Sequence, residues 1–298
     1  MSAPTILLTG RNGQVGFELQ RALAPLGKVV AVGTADCDLA DGAALRALVQ
    51  SVQPALIVNP AAYTAVDKAE TDSDKARAVN AVAPGILGEE AAKLGAAVIH
   101  YSTDYVYDGR KAGPYTEADA TGPQSVYGQT KLDGEQALAA ATPQHVVLRT
   151  SWVVGAHGGN FAKTMLRLAG EREELKVVAD QFGAPTSAAL IADVTAHIAH
   201  RYLQQGATGF PFGTYHLAAE GETSWHAYAQ FVIGEALRHG KALKASPDRV
   251  HPIPASAYPT PAQRPTNSRL DTARLRQTFG LHLPPWQDGV RHILQQIL

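Results

Sequence analysis

The sequence has a single cysteine, Cys37, among its 298 residues. One cysteine excludes an internal disulfide framework and any cysteine-rich metal site, and it is typical of proteins in a reducing compartment. No uninterrupted apolar run approaches the roughly 20 residues of a membrane span, and residues 1–9 contain no basic segment that leads into a long apolar one. These absences predict a cytoplasmic protein that is neither exported nor inserted into a membrane.

The chain also has almost no net charge, because 26 basic residues are balanced by 27 acidic ones. Its 45% hydrophobic and 18% charged composition is that of a globular protein. Without an excess of one sign, the surface presents no broad field to nucleic acid or to anionic lipid, and we expect neither as a partner. Any phosphate group must therefore be bound by a local site.

In the first half of the chain, short apolar runs alternate with stretches of helix-forming residues whose apolar side chains share one face. This alternation predicts parallel strands joined by right-handed helical crossovers, with functional residues at the carboxyl ends of the strands. Pro84 is expected to kink or divide the third helix. The predicted strands are 5–9, 28–33, 55–59, 97–101 and 145–149, and the predicted helices are 14–24, 43–51, 72–93 and 126–141.

After residue 149 the pattern loosens into connections rich in glycine, proline and aromatic residues. Six prolines between Pro247 and Pro265 indicate ordered loop or edge structure there and not a helix. We therefore predict an α/β fold, a Rossmann-like doubly wound parallel sheet with a smaller, partly interleaved substrate-binding lobe. The helices predicted in this half are 161–170, 188–202, 225–237 and 271–279.

A glycine-rich turn joins the first predicted strand to the first predicted helix, with Gly10, Gly13 and Gly16 spaced as G-x-x-G-x-x-G. A helix N-terminus offers free N–H groups, and glycines let a pyrophosphate approach the backbone closely. The motif alone is weak evidence, but between a strand and a helix it favours dinucleotide binding over a ligand-free turn. Residues 1–150 are therefore expected to form a dinucleotide-binding Rossmann domain. Residues 151–298 would form mainly the substrate-binding lobe, with some segments returning to the first domain.

The residues around the second strand leave the choice between NADPH and NADH open. The strand closes with residues 32–34 (VGT), which supply no carboxylate for a ribose 2′-hydroxyl, and Arg11 in the glycine turn makes NADPH admissible. Asp36 and Asp38 follow shortly afterwards. Asp38, with Leu39, is a candidate for the adenine edge of the cofactor, whereas a solvated loop acid explains Asp36 equally well.

A second motif, Tyr127-x-x-x-Lys131, lies on the predicted helix 126–141, downstream of Ser102-Thr103-Asp104 at the end of the fourth strand. A spacing of four places phenol and ammonium on one helical face, where the cation would favour the phenolate and lower the pKa of Tyr127. Tyr127 could then donate a proton to a substrate carbonyl oxygen that Thr103 also hydrogen-bonds. Lys131 would in addition hold the nicotinamide ribose. A lone Tyr-x-x-x-Lys usually marks only a helix surface, so this prediction depends on the three motifs together.

Several longer motifs carry a resemblance to a known family. They are the glycine turn 10–16 (GRNGQVG), 59–67 (NPAAYTAVD), 102–109 (STDYVYDG), 127–131 (YGQTK), 149–152 (RTSW) and 180–186 (DQFGAPT). Over nearly its whole length the chain resembles the extended short-chain dehydrogenases/reductases and, within them, the dTDP-4-dehydrorhamnose reductase family. The resemblance implies NAD(P)H-dependent reduction of the 4-keto group of dTDP-6-deoxy-L-lyxo-4-hexulose to dTDP-L-rhamnose, the last step of dTDP-rhamnose biosynthesis.

The resemblance implies catalytic roles for Thr103, Tyr127 and Lys131, and substrate contacts for Thr103, Asp104 and Trp152. Without it, a tryptophan after the fifth strand would be interpreted as a core residue. The implied cofactor contacts are Gly10, Gly13, Gln14, Val15, Asp38, Leu39, Ala61, Ala62, Tyr63, Tyr127 and Lys131.

Some positions leave details open. Arg264 and Arg269 are candidates for binding the substrate diphosphate, although exposed arginines often bind nothing specific. Pro60 and Tyr63 stand where the family often has Ala and His, so cofactor contacts there are expected to differ in detail. Some relatives resemble magnesium-dependent dimers, but no carboxylate cluster in this sequence identifies such a site. A Mg²⁺ requirement and a homodimer therefore stay open.

Three alternatives share the predicted fold. A sugar-nucleotide 4,6-dehydratase would need a glutamate base where this chain has Tyr105. A 4-epimerase would return the hydride it takes and consume no cofactor. A non-catalytic dinucleotide-binding regulatory subunit would not need Thr103, Tyr127 and Lys131 together.

Overall fold

The structure, a computed structural model, describes residues 3–298. In chain order its strands are β1 (Thr5–Leu8), β2 (Lys28–Ala31), β3 (Leu56–Asn59), β4 (Ala97–Thr103), β5 (His145–Thr150), β6 (Val153–Val154), β7 (Leu175–Val178), β8 (Phe182–Gly183), β9 (Thr186–Ser187), β10 (Gly213–His216), β11 (Thr223–Ser224) and β12 (Val250–Ile253). Its helices are α1 (Gln14–Leu23), α2 (Gly42–Val52), α3 (Val66–Ala69), α4 (Ser73–Arg77), α5 (Ala83–Leu94), α6 (Val126–Ala141), α7 (Phe161–Glu171), α8 (Ala188–Gln205), α9 (Trp225–Arg238), α10 (Ala273–Phe279) and α11 (Trp286–Ile297). None of these helices is both long and apolar enough to cross a bilayer.

A parallel six-stranded sheet in the order β10-β5-β4-β3-β1-β2 forms the centre of the fold. The chain steps outward from β1 to β2 and then returns to place β3 on the other side of β1. In such sheets the ligand crevice opens where the strand order reverses, at the carboxyl ends of the two strands. Here that point lies between β1 and β3. The predicted Rossmann-like fold is confirmed.

The sheet is covered by helices on both faces. Along β1, Ile6 and Leu8 belong to the apolar cluster under α1 and α8, whereas Leu7 belongs to the opposite cluster under α2 and α5. Side chains that alternate between faces and are buried on both produce the continuous apolar run TILL. β10 and α8 come from the second half of the chain. This half therefore contributes a strand to the central sheet and a helix to one of the layers that cover it.

A third apolar cluster lies among α7, α9 and α11 and includes Met165, Tyr228 and Ile293. Around it are three two-stranded sheets, β6–β9, β7–β12 and β8–β11. These strands and α11 escaped prediction, because most are too short to show periodicity. β12 lies in the proline-rich segment and pairs with β7 alone, which agrees with the edge structure predicted there.

The predicted helix 126–141 is confirmed as α6, whereas the predicted helix 72–93 is divided. A π turn, Ala78–Val82, separates α4 from α5, and Ala83 N–H donates to the Ala78 carbonyl. Pro84 has no N–H to bond the Asn80 carbonyl, which is the physical reason for the expected break. That carbonyl instead faces Gly134 of α6, where an added Cβ would lie 2.0 Å away.

A buried ion pair fixes α6 to the sheet. Arg149 of β5 donates to Glu135 of α6 from Nε at 3.0 Å and from Nη2 at 2.6 Å. Both side chains are less than a tenth exposed. Arg149 Nη1 also donates to the Tyr107 hydroxyl, which lies 2.7 Å from His216 Nε2 on β10. The pair therefore joins α6, β5 and β10 through one satisfied polar network.

We expect Glu135→Gln to lower the free energy of unfolding by about 3–5 kcal/mol, because it leaves the Arg149 charge buried and unpaired. Glu171→Gln, which breaks the exposed Arg167–Glu171 pair, serves as the control and should cost less than about 1 kcal/mol. Denaturant unfolding of both variants measures the difference. Equal losses in the two variants would contradict a structural role for the buried pair.

Candidate active site

A cavity of about 520 Å³ opens at the carboxyl ends of the central strands. Its floor is the glycine turn, and its walls come from the segments that follow β2, β3, β4 and β5 and from α6. The lining residues are Gly10, Asn12, Gly13, Gln14, Val15, Gly16, Gly33, Thr34, Pro60, Ala61, Ala62, Thr64, Tyr101, Ser102, Tyr127, Lys131, Thr150, Val153, Gly158 and Gly159.

The backbone geometry of the turn explains its glycines. Gly10 has a φ of +61°, and a Cβ added there would lie 2.9 Å from the backbone of Ala61. A Cβ on Gly16 would lie 2.0 Å from the Gly10 carbonyl oxygen. The first turn of α1 has no side-chain cap and no acidic residue, so its N–H groups face the cavity without an internal acceptor. Such an arrangement suits a diphosphate.

Two hydroxyl groups deeper in the cavity also suit a polar ligand. Ser102 Oγ and Thr150 Oγ1 are buried and have no hydrogen-bond partner among the residues that the structure describes. Buried polar groups are ordinarily paired, so each of these atoms is available to a ligand. Ser102 lies near the end of β4 and Thr150 ends the neighbouring strand β5, and this place at strand ends is the signal from which both could have been predicted. Together with the turn, they fit a nicotinamide dinucleotide.

Tyr127 and Lys131 line this same cavity from the first two turns of α6. Ser125 caps the helix by accepting from Gly128 N–H, and a Cβ on Gly128 would lie 2.2 Å from the Tyr105 carbonyl oxygen. The helix therefore begins in close contact with the segment after β4. The rings of Tyr105 and Tyr127 meet edge to face, with centroids 5.5 Å apart.

The electrostatics of the pair differ from the sequence prediction. Lys131 Nζ donates to the Tyr101 carbonyl at 2.6 Å and lies 3.3 Å from His100 Nε2, so its hydrogen bonds point into the sheet. Burial lowers the pKa of Lys131 to about 8, and the charge of Glu135 offsets this only in part. Desolvation raises the pKa of Tyr127, and a hydrogen bond with Thr103 lowers it only in part. The expected lowering of the Tyr127 pKa by Lys131 is therefore wrong for this arrangement.

Thr103 and Asp104 lie beside the cavity and do not line it. Thr103 Oγ1 donates to Asp104 Oδ1 at 3.1 Å and accepts from Tyr105 N–H. Burial raises the pKa of Asp104 to about 6, and hydrogen bonds from Ser268 and Thr103 lower it in part. Asp104 Oδ2 has no partner among the described residues. This oxygen is therefore available to a second polar ligand that binds beside Tyr127.

Trp152, the third expected substrate contact, also lies outside the cavity lining. Its φ of +48° is unusual for a bulky residue, and strain of this kind clusters at functional sites. The indole stacks on Trp225 with centroids 3.6 Å apart. It approaches Gly183 so closely that an added Cβ would lie 2.7 Å from it. The tryptophan is therefore held in one orientation at the border of the third apolar cluster.

Three predicted cofactor contacts do not line the cavity. Asp38 is exposed and accepts from Ala40 N–H, Leu39 is buried in the core, and Tyr63 donates its hydroxyl to Asp72. Asn12, Gly33 and Thr34 line the corresponding edge instead. None of these three residues carries a charge or occupies a distinctive motif position that would have identified it from the sequence.

Asp36 turns back toward the cavity edge. Its Oδ2 accepts from Gly33 N–H at 2.7 Å and lies 3.1 Å from Arg11 Nη2. Asp36 therefore places a carboxylate at the end of the second strand, although residues 32–34 at the strand end contain no acidic side chain. The interpretation of Asp36 as a solvated loop acid is incomplete, because the side chain is paired.

The two candidate diphosphate arginines lie in different surroundings. Arg264 pairs with Asp67 at 2.6 Å, and its other nitrogen reaches the Tyr105 hydroxyl at 3.4 Å. Arg269 pairs with Glu222 at 2.9 Å and donates to the Ala112 carbonyl. Arg264 therefore lies near Tyr127, whereas Arg269 has partners elsewhere.

In residues 3–298, no group of three or more His, Cys, Asp or Glu side chains has a geometry that could hold a metal ion. Two acidic residues near the cavity are paired with arginines, Asp36 with Arg11 and Asp67 with Arg264, whereas Asp104 accepts from Thr103. The chemistry that this region offers is therefore that of hydroxyl groups, one amine, the buried carboxyl group of Asp104 and backbone N–H groups.

Comparisons with known proteins agree with this geometry. A family model described as the RmlD substrate binding domain matches residues 4–298. The chain is 49% identical to a dTDP-4-dehydrorhamnose reductase of Escherichia coli (strain K12), over 98% of this chain and 97% of the relative. A crystal structure of a dTDP-4-dehydrorhamnose reductase from Clostridium acetobutylicum has a TM-score of 0.89 at 34% identity and covers 98% of each chain.

A second solved structure contains a cofactor. It is a dTDP-4-dehydrorhamnose reductase from Bacillus anthracis in complex with NADP, with a TM-score of 0.88 at 31% identity. The match covers 99% of this chain and 100% of that one. With the family model matched over almost the whole sequence, the chain belongs to the dTDP-4-dehydrorhamnose reductase family.

Proposed function

We propose that this chain reduces the 4-keto group of dTDP-6-deoxy-L-lyxo-4-hexulose to give dTDP-L-rhamnose, with NADPH or NADH as the reductant. Residues 1–150 would hold the dinucleotide, and residues 151–298 would supply mainly the sugar-nucleotide lobe. The proposed location is the cytoplasm, in keeping with the free, buried thiol of Cys37.

One observation carries the proposal. The glycine turn that suits a diphosphate and the Tyr127–Lys131 pair line the same cavity. A protein that only bound a dinucleotide would need the turn but not a tyrosine hydroxyl and a buried lysine at its far end. The proposal therefore favours an enzyme over a regulatory binding subunit.

When bound, the reduced nicotinamide supplies a hydride to the carbonyl carbon of the sugar. Tyr127 donates its proton to the carbonyl oxygen, so that the product is the neutral alcohol and Tyr127 is left as phenolate. Thr103 lies beside Tyr127 and would hydrogen-bond the same carbonyl oxygen. The raised pKa of Tyr127 keeps it protonated at neutral pH, as a general acid must be before the reaction. The hydroxyl groups of Ser102 and Thr150 would hydrogen-bond polar groups of the bound cofactor.

The substrate would meet Thr103, Asp104 and Trp152 beyond the cavity. Trp152 offers a fixed aromatic edge, because stacking on Trp225 restricts its rotation. Asp104 offers a carboxyl oxygen that has no partner among residues 3–298. A hydroxyl group of the sugar would satisfy that oxygen and so select for a polyol ring.

The first test is oxidation of NADPH and of NADH by the purified protein with the dTDP-4-keto-6-deoxy-L-sugar, followed at the absorbance of the reduced nicotinamide. We expect one cofactor oxidised for each dTDP-L-rhamnose formed, with the product identified by mass spectrometry and NMR. An altered sugar without net oxidation would instead indicate an epimerase. Binding of cofactor and sugar without any product would indicate a regulatory subunit.

Tyr127→Phe should lower kcat by about 10²–10⁴, because it removes the proton donor and retains the ring. Cofactor affinity, measured by quenching of protein fluorescence, should change little. Tyr105→Phe is the matched control, since it removes the hydroxyl of the neighbouring ring, and most turnover should remain. If the two variants retained similar activity, Tyr127 would not be the acid.

Asp36→Asn should raise the ratio of kcat/KM for NADPH to that for NADH by about threefold to tenfold. Asp36 now holds the Arg11 guanidinium and the Gly33 N–H, two donors that a 2′-phosphate would otherwise use, and it would repel that phosphate. Arg11→Met should lower the same ratio. Steady-state kinetics with both cofactors provide the measurement, and a ratio that stayed constant in both variants would show that the 2′-phosphate binds elsewhere.

A further inference from the structure

Residues 155–160 form a short loop between β6 and α7, and the two ends of this loop are joined. Asn160 Nδ2 donates to the Gly155 carbonyl at 2.8 Å, and Asn160 Oδ1 caps α7 by accepting from Lys163 N–H. Lys163 Nζ in turn donates to two further carbonyls of the loop. The loop, here called the strap, is therefore held as one unit against the first turn of α7.

A histidine fastens the outer side of the strap to the glycine turn and to α1. His157 Nε2 lies 3.0 Å from the Asn12 carbonyl oxygen, and because a carbonyl only accepts, this ring nitrogen donates. The imidazole also stacks on Phe17 of α1, with ring centroids 4.4 Å apart and planes 6° from parallel. Phe17 is 48% exposed. The stack gives a role to a phenyl ring that otherwise lies on the helix surface.

The inner side of the strap forms part of the cavity wall. Gly158 and Gly159 line the cavity, as does Gln14 at the start of α1. Gln14 Oε1 accepts from Asn160 Nδ2 at 3.0 Å, and a Cβ added to Gly158 would lie 3.3 Å from Gln14 Cγ. A diphosphate bound at the free N–H groups of the first turn of α1 would therefore lie beside the strap.

The attachments of the strap differ in strength on its two sides. On the α7 side, the Lys163 ammonium and the helix cap bind it through the backbone of the strap and of α7. On the α1 side, the contacts are the amide of Gln14, one hydrogen bond from His157 and its ring stack. A single hydrogen bond or ring stack of this kind changes an equilibrium by roughly threefold to tenfold. The strap can therefore separate from α1 while it stays attached to α7.

We propose that His157 and Phe17 form a latch that holds the strap against the glycine turn, and that this latch opens for the cofactor to enter and to leave. The inference rests on the proposed function, because it takes a nicotinamide dinucleotide as the ligand of the cavity. When the latch opens, the wall at Gly158 and Gly159 moves away from α1 together with α7. Neither latch side chain lines the cavity. The latch therefore sets the rate of cofactor exchange and not the affinity.

The test is stopped-flow binding of NADPH and of NADH, followed by the fluorescence of the reduced nicotinamide, with dissociation measured after a chase of excess oxidised cofactor. Phe17→Ala removes the stack and retains a good helix former. Both the association and the dissociation rate constant should rise by about threefold to tenfold. Kd should change by less than about twofold, because the free and the bound protein lose the same contact. His157→Ala, which also removes the hydrogen bond, should raise both rate constants further.

The chain offers matched controls for these variants. Phe17→Tyr keeps a ring for the stack, so its exchange rates should equal those of the unchanged protein. Leu237→Ala shortens a similarly exposed apolar side chain on α9 and should change neither rate constant. The double variant with Phe17→Ala and His157→Ala should exchange cofactor as fast as His157→Ala alone, because the stack is already lost.

Unchanged rate constants in both single variants, or increases that multiply in the double variant, would overturn the proposal. A higher Kd with an unchanged association rate constant would overturn it as well, because the strap would then bind the cofactor without controlling its entry.

These measurements need no sugar, so their result is separate from that of the turnover assay. A protein that showed the expected exchange rates without reducing the sugar would disprove the proposed reaction and retain the latch. A protein that reduced the sugar while every variant exchanged cofactor at the same rate would do the reverse.

Discussion

The geometry of the candidate active site depends on how closely α6 packs against the neighbouring backbone segments and the sheet. Gly128 and Gly134 each leave room for a backbone carbonyl, of Tyr105 and Asn80 respectively, at a distance where no side chain would fit. Between these contacts and the sheet, Glu135 is fixed by Arg149. A helix held at three points cannot slide or rotate freely, so the residues on its inner face point at one place in the cavity. Tyr127 and Lys131 are those residues.

The Arg149–Glu135 ion pair that anchors α6 also determines which charges act on Lys131. A carboxylate one turn away would ordinarily keep a buried ammonium charged. Here that carboxylate is already engaged by a buried guanidinium, and the nearest partners of Lys131 are a carbonyl and a neutral imidazole. Burial therefore prevails and lowers the pKa of Lys131 to about 8. One ion pair thus stabilises the fold and also leaves a reactive amine in the site.

The glycine-turn side of the cavity and the region beside it that is proposed for the sugar are built differently. On the glycine-turn side, the groups available to a ligand are mainly backbone N–H groups, which the glycines allow a ligand to approach closely. The one nearby carboxylate, of Asp36, is paired with Arg11. Beside the cavity, the buried Asp104 and the half-buried, strained Trp152, which stacks on Trp225, supply side chains held in fixed positions. This division fits the two proposed ligands, because a dinucleotide can be bound through the backbone whereas a particular sugar needs particular side chains.

The sequence by itself determined the parallel sheet, the crevice after β1 and the place of Tyr127 and Lys131 on one face of a helix. These features depend on local periodicity, on glycines required by close backbone approach, and on a four-residue helical spacing. Only the tertiary structure decided that β10 completes the sheet and that Asp36 returns to Arg11. It also decided that Lys131 points toward His100 and that Ser102 and Thr150 share the cavity. Each of these depends on a contact between residues far apart in the chain, and such contacts leave no periodic trace in the sequence.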